Sequence, residues 1–190
     1  MSNQSPFAIE LPGSLLAAAA RGDEVALEAI YRQFQGPCFQ LAWRLCGDRE
    51  QARDLVHEAL LKVFCQLHQF RADSPFWAWL RQVLVNECLM HLRRHSRGEQ
   101  QVDWCDIEQT ADEQLQLPPA VTEHGLLQRA MEQLPPNTRA VLWLYHVEGY
   151  THGEIAALMQ RTLSFSKSQL ARGTRRLREL LMLCEDTAHV

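Results

Sequence analysis

Signals for β-structure are almost missing from this chain of 190 residues. It has no long alternating run of β-branched residues and no Asn-Gly or Asp-Gly hairpin turn. Long apolar runs are missing too. The longest near the N-terminus is Leu15–Ala20, far short of the roughly 20 residues that span a bilayer. No basic segment precedes that run and Arg21 follows it, so neither a secretory leader nor membrane insertion is expected, and the expected location is the cytoplasm. No Gly-rich phosphate loop, H-E-x-x-H or G-x-S-x-G occurs, which removes the usual marks of an enzyme, and no cofactor is implied. The six cysteines include no two that sit two to four residues apart, so the zinc-knuckle spacing is absent and reduced, partly buried thiols are expected. Cys88, His91 and His95 fall at i, i+3 and i+7, but a fourth ligand is lacking and no metal site follows.

Helix signals are dense instead. Hydrophobic residues make up 46% of the chain and charged residues 22%, as in an ordinary folded domain. Asp23 suits the N-cap of a helix running to about Gln35, where Gly36-Pro37 predicts a break before a short helix over Cys38–Cys46. Asp48 caps a clearer one. Ala52, Leu55, Val56, Ala59, Leu60, Val63, Phe64 and Leu67 then form one apolar stripe at helical spacing. Its opposite face carries Arg53, Asp54, His57, Glu58, Leu61 and Lys62. Ser74-Pro75 predicts another helix start, with a stripe of Phe76, Trp79, Leu80, Val83, Leu84 and Leu92 and a basic end at Arg93 and Arg94.

From Glu99 to His124 the chain carries seven acids and no Lys or Arg, and Pro118-Pro119 breaks any helix, which predicts a solvated linker. Beyond it, Leu126, Leu127, Ala130, Met131 and Leu134 form a helical stripe, and a second helix is expected over about Thr138–Val147. Thr151-His152-Gly153-Glu154 reads as a capping box opening a third. A short break at Gln160–Thr162 leads to a fourth, whose expected inner face is Leu170, Thr174, Leu177 and Leu181. The expected class is therefore all-α: two small helical domains over residues 14–98 and 124–185, joined by an acidic linker over 99–123.

The formal net charge is −4, yet the last of these helices gathers Arg161, Lys167, Arg172, Arg175, Arg176 and Arg178 before its first acid, Glu179. A charge run alone would suit a solvated face or a protein partner. Here a capped helix and a tight turn precede it, the pattern of a helix-turn-helix whose second helix enters the major groove N-terminal end first. Ser164, Ser166, Lys167, Ser168, Gln169 and Arg172 are the polar side chains at that end. Lys and Arg suit guanine, and Gln suits adenine. Arg175, Arg176 and Arg178 lie further along and are better placed for phosphates, and Arg161 is a further DNA-binding candidate.

Both halves together resemble one family. "ARGDEVALEAIYRQF", "DREQARDLVHEALLKVF", "FWAWLRQVLVNECLMHLRR" and "LPPNTRAVLWLYHVEGYTHGEIAALM" followed by "KSQLARG" resemble, in order, the opening helix, regions 2.1–2.2, regions 2.3–2.4 and region 4 of the extracytoplasmic-function (ECF) sigma factors of the sigma-70 family. The resemblance implies a factor that joins core RNA polymerase and directs it to promoters. Asp54, His57, Glu58 and Leu61 would meet the clamp helices of the β′ subunit, and the second domain would hold the β flap while its last helix reads the minus-35 element. Phe70, Phe76, Trp77 and Trp79 would surround a loop that takes a flipped base, and Arg81, Asn86, Arg93 and Arg94 would line the minus-10 DNA track; of the two tryptophans, Trp79 continues the apolar stripe and is expected in the core, and Trp77 is expected to face the loop or DNA. The family commonly has an anti-sigma partner. The chain departs from the pattern at His57 (usually Gln), Met90 (usually Asp), Ser164-Phe165-Ser166 (commonly Gly-Thr-Val), Gln169 (commonly Arg) and Gly173 (commonly Ala). Outside this family, the alternatives are a stand-alone helix-turn-helix regulator and a helical adaptor that binds protein alone.

Overall fold

Asp23 and Asp48 open two long helices of the N-terminal half, each by accepting a hydrogen bond from a backbone N–H three residues on, Ala26 at 3.0 Å and Gln51 at 2.9 Å. In this computed structural model, which describes residues 8–96 and 123–188 (side chains at 8–95 and 125–182), the chain divides into two compact units at His91–Leu92, within the final turns of the fourth helix. The expected acidic linker lies almost wholly outside the described residues. Every regular element among the described residues is helical.

The first unit holds α1 (Gly13–Ala20), α2 (Glu24–Cys46), α3 (Arg49–Gln66), a 3-10 turn (Leu67–Gln69) and α4 (Phe76–Ser96). Against expectation, α2 runs unbroken through Gly36-Pro37. An interior proline removes one helical hydrogen bond and costs about 3 kcal/mol. Ile30, Phe34, Cys38, Leu41 and Leu45, however, continue one fully buried stripe across it, and burying each large apolar side chain contributes about 1.5–3 kcal/mol. The stripe outweighs the break. Gly47, at a positive φ of 79°, ends the helix with its N–H on the Trp43 carbonyl.

The α3 stripe is buried as its spacing predicts, except that Phe64 is half-exposed. In α4 the Pro75 carbonyl accepts the first helical bond, from Trp79 N–H, so the helix starts one residue later than Ser74-Pro75 implied. Its core side is Phe76, Leu80, Leu84, Val85, Cys88, Leu89 and Leu92, while Trp79 and Val83 stay half-exposed. Phe76 meets Phe34 of α2 edge to face, ring centroids 5.4 Å apart. Cys38, Cys46 and Cys88 are buried free thiols, whereas Cys65 is exposed. Burial pushes the Cys38 thiol up to about 12. A hydrogen bond with Cys46, reinforced by burial, raises Cys88 well above the ordinary thiol range.

The second unit holds α5 (Glu123–Glu132), α6 (Pro136–His146), α7 (His152–Met159) and α8 (Leu163–Ala188). Ala130 and Met131 of α5, Leu134 just after it, Leu142 of α6, and Leu177 and Leu180 of α8 form one core cluster. The buried line of α8 is Ser166, Gly173, Leu177 and Leu180, with Leu170 and Leu181 half-buried, so the core side adds two small residues to the expected Leu170, Thr174, Leu177, Leu181 face. α6 approaches α8 where the latter has least bulk. A Cβ at Gly173 would stand 2.6 Å from the Thr138 methyl and 2.7 Å from a Leu142 methyl. Replacing Gly by Ala gains up to about 1 kcal/mol of helix propensity, but overpacking a filled core typically costs about 1–3 kcal/mol. Gly173→Ala is therefore expected to lower the midpoint of urea unfolding of the full chain, by about 1 kcal/mol or more in stability. An unchanged or higher midpoint would mean that Thr138 and Leu142 move aside freely.

Candidate nucleic-acid interface

In the second unit, Thr151 and Glu154 make the full capping box. Glu154 Oε2 accepts from both the N–H and the hydroxyl of Thr151 at 2.8 Å, and Thr151 Oγ1 accepts from the Glu154 N–H at 3.3 Å. Gln160 ends α7 in the left-handed region with φ 53°, and α8 begins at Leu163. His152, the first residue of α7, stacks on Tyr145 with centroids 4.6 Å apart. Its Nδ1 lies 3.0 Å from the Ser166 hydroxyl. It is thus a half-buried link between the two helices of the motif, not the surface or cap residue its position suggested. His146, at the end of α6, is held below the ordinary histidine range by burial.

The expected DNA-reading residues of α8 separate by exposure. Ser164, Lys167, Ser168, Arg175 and Arg176 are exposed, as is Arg161 just before the helix. Ser166 is not available to DNA: it is fully buried and bonded to His152. Its small hydroxyl side chain sits where the apolar spacing had shown no inward residue. Gln169 is half-buried and accepts a hydrogen bond from Thr138 Oγ1 at 2.6 Å. Arg172 folds back along its own helix, its Nε and one terminal nitrogen each 3.3 Å from Ser168 oxygens. Arg176 pairs with Glu179 at 2.9 Å. The Arg161 guanidinium lies 5.6 Å from the centre of the Phe165 ring.

In the first unit, the segment Gln69–Ser74 joins the 3-10 turn to α4 and includes Ala72 at a positive φ of 56°. Together with Trp79 it lines an open cavity of about 220 Å³. Phe70 stacks on Trp79, centroids 5.2 Å apart and planes 28° from parallel. Phe76 packs edge-on beneath both, 5.8 Å from Phe70 and 6.0 Å from Trp79. Phe76 is only 4% exposed, so it supports the aromatic pair and does not itself meet solvent.

The two tryptophans do not divide as expected: both are half-exposed. Trp79, not Trp77, faces the loop. Seven-residue steps along α4 carry its face from Trp79 to Asn86 to Arg93, and Asn86 and Arg94 are exposed while Arg93 is partly so. Trp77 and Arg81 stand on the other side of the helix, where the guanidinium lies 5.8 Å from the indole centre. The apolar stripe misled because Trp79 continues it in spacing but stands at its edge, half-exposed against Phe70, while Phe76 and Leu80 take the buried positions.

On α3, Asp54, His57, Glu58 and Leu61 are all exposed at i, i+3, i+4 and i+7, and so form one ridge. Leu61 is 51% exposed, a large apolar side chain among acids. Lys62 beside it is drawn to Glu87 of α4 at 2.7 Å, and that carboxylate side chain is only 8% exposed. This ion pair between helices left no mark in the periodicity. No cluster of His, Cys, Asp or Glu among the described residues could hold a metal ion. Among those residues, no helix is long and apolar enough to cross a membrane.

A capped helix-turn-helix with a basic outer face, a second helical unit with an aromatic loop pocket and an acid-apolar docking ridge together define a two-part transcription factor. Residues 30–98 match the model of Sigma-70 region 2, and residues 124–177 match that of Sigma-70, region 4. The ECF RNA polymerase sigma factor SigM of Mycobacterium tuberculosis is 30% identical over 167 residues, covering 88% of this chain and 83% of that one. SigE of Mycolicibacterium smegmatis is 29% identical over 168 residues, covering 85% of this chain and 65% of that one. The fold is similar to that of the sigma factor RpoE solved with the anti-sigma factor NepR from Bartonella quintana (TM-score 0.52, 25% identity, 82% of this chain and 96% of that one). The chain belongs to the ECF sigma factors of the sigma-70 family, and its function is to direct RNA polymerase to promoters.

The helix-turn-helix carries a pH signature. The N–H and hydroxyl of Thr151 hold Glu154 below its ordinary value of 4.5. A depressed carboxyl contributes stability above its unfolded value, and that contribution fades as pH falls through the folded one. Glu154→Gln should therefore unfold more readily than the parent near neutral pH, with the gap closing below about pH 4. A thermal-unfolding series against pH checks this; a gap that persists into acid would place the effect outside the capping carboxylate.

Proposed function

We propose that the two units divide promoter recognition between them, with working boundaries at residues 14–98 and 124–185. The ridge of Asp54, His57, Glu58 and Leu61 docks on the β′ clamp helices of core polymerase. Its charge favours a basic partner surface, and Leu61 supplies apolar area for the contact centre. The second unit engages the β flap and lays the start of α8 in the major groove of the minus-35 element. Lys167 and Arg172 lie nearest the bases, and Arg161, Arg175 and Arg176 lie along the phosphates.

The observation that carries the reading in the first unit is the alignment of the Phe70–Trp79 pair with Asn86, Arg93 and Arg94 along α4. An open aromatic cavity followed by a polar and basic track suits a melted strand whose bases stack and whose backbone seeks cations. On this reading Trp79 and Phe70 hold the unstacked base of the minus-10 element, and Trp77, Phe76 and Arg81 brace the helix from behind. By analogy with the Bartonella quintana RpoE–NepR complex, an anti-sigma protein is the proposed inhibitor.

Run-off transcription on fragmented genomic DNA, with core RNA polymerase with and without this protein and mapped 5′ ends, tests the proposal. New starts that share a pair of upstream elements are expected; no new starts would return weight to a stand-alone regulator. Asp54→Lys with Glu58→Lys should abolish co-elution with core enzyme while leaving duplex binding by the second unit intact. Retained co-elution would remove the ridge from the docking site. On the promoter so found, Trp79→Ala should slow open-complex formation roughly tenfold or more, the scale of one base–aromatic stack, and a template already melted at the minus-10 element should not restore base capture. Equal activity of Trp79→Ala and parent would remove the pocket from the mechanism.

A further inference from the structure

Two of the chain's departures from its family, Gln169 and Gly173, meet in one contact. They lie one helical turn apart on α8, and both face Thr138 of α6. The Thr138 methyl lies where a Cβ on Gly173 would stand, 2.6 Å away, and the Thr138 hydroxyl is 2.6 Å from Gln169 Oε1. Thr138 is only 7% exposed, so the hydroxyl has little access to water and is committed to its partner.

The distance sets the amide orientation. At 2.6 Å the contact falls in the O–H···O range and below that of N–H···O bonds, so the hydroxyl donates and the amide oxygen accepts. The Gln169 oxygen is then turned inward to α6, and its NH2 group, which only donates, is left for a ligand. Bidentate recognition of adenine needs both ends of the amide: the oxygen for N6 and the nitrogen for N7. Gln169 has one end to offer. A lone donor finds two acceptors on guanine, O6 and N7, one on thymine, O4, one on adenine, N7 beside the opposing N6 amino group, and none on cytosine, which presents only its N4 amino group.

We propose that Thr138 is a positioning residue that makes Gln169 a donor-only reader, favouring guanine and excluding cytosine at one position of the upstream promoter element. The inference rests on the reading that the start of α8 meets that element. It also overturns the adenine preference that the residue type alone suggests.

The test uses the full chain with core polymerase on a library built from one promoter identified by run-off transcription and randomised across its upstream element. Transcribed sequences are counted. The parent should favour guanine most and cytosine least at one position, by roughly fivefold or more between the two, the lower end of what a full two-bond contact provides. Gln169→Glu should reverse that preference, because Thr138 still donates to one carboxylate oxygen while the other faces the base as an acceptor. Thr138→Val should let the amide turn and raise adenine at the same position, with unfolding monitored by circular dichroism. If Thr138→Val fails to fold, Gln169→Glu still decides, since it leaves α6 untouched. An adenine preference in the parent at the Gln169-dependent position, or a Gln169→Glu profile matching the parent, overturns the proposal. Reversal by Gln169→Glu with a folded Thr138→Val unchanged overturns the positioning role. Lys167→Ala with Arg172→Ala separates the two levels. If that pair weakens selection at the upstream element while Gln169→Glu does nothing, only this inference falls. If both are silent, the placement of α8 on DNA falls with it.

Discussion

Burial of one stripe on each of α3, α4 and α8 determines what the opposite faces can do. Each unit has one small core, and a helix can commit only part of its circumference to it. On α3 the buried line from Ala52 to Val63 turns Asp54, Glu58 and Leu61 outward. On α4 the buried line from Phe76 to Leu92 leaves Trp79, Asn86 and Arg93 at the surface. On α8 the line through Ser166, Gly173 and Leu177 leaves Lys167, Arg175 and Arg178 to solvent. Each surface with a proposed partner is the back of a core helix, so its side chains are held by packing and not by a mobile loop. The pocket at Gln69–Ser74 is the exception, and there Phe76 under Phe70 and Trp79 ties the loop to the core.

Charge is arranged on the same terms. The ion pairs at Arg32–Glu28 and Arg176–Glu179 are exposed on both partners, and such pairs contribute only about 0–1 kcal/mol. Their effect is on where charge stands. Glu179 moderates the basic face of α8 one turn beyond its reading end, and leaves Lys167 as the exposed cation nearest the N-terminus of that helix. Glu87, buried on α4, holds the Lys62 ammonium toward itself and so keeps a cation away from the acidic ridge of α3. An acidic chain can therefore carry both an acid docking ridge and a basic reading helix, because neither is set by the net charge.

Much of this was legible in the residues. The Asp23, Asp48 and Thr151 caps, the α3 stripe with its polar back, and the helix-turn-helix all follow from local rules with a single physical cause. The failures share a different cause. Gly36-Pro37 predicts a break on local grounds, but Phe34, Cys38 and Leu41 bury across it, and packing overrides propensity. Counting apolar residues found Leu170, Leu177 and Leu181 on the core side of α8 but missed Ser166 and Gly173, which have almost no bulk to count, and their smallness is the reason α6 comes close. Trp79 was placed in the core because spacing gives the face of a helix but not where the edge of the core falls across it, and Phe76 and Leu80 take the buried positions while Trp79 stays half-exposed. The Lys62–Glu87 and Thr138–Gln169 pairs join residues 25 and 31 positions apart, beyond any local pattern.

The contact at Thr138 shows how one packing choice propagates to recognition. With Ala at position 173, the Cβ would occupy the space of the Thr138 methyl, and α6 and α8 would have to part by several tenths of an ångström or more. A hydroxyl now 2.6 Å from Gln169 would then drift out of good hydrogen-bond geometry. The Gln169 amide would regain its freedom to turn, and with it both ends for a base. Gln169 and Gly173 are thus one feature in two positions: the glycine admits the threonine, and the threonine orients the glutamine. A long arginine at position 169 would need no such orientation, because every polar group on its guanidinium donates whichever way it turns. Glutamine is the two-faced side chain, so it is the one whose specificity depends on a neighbour in the core.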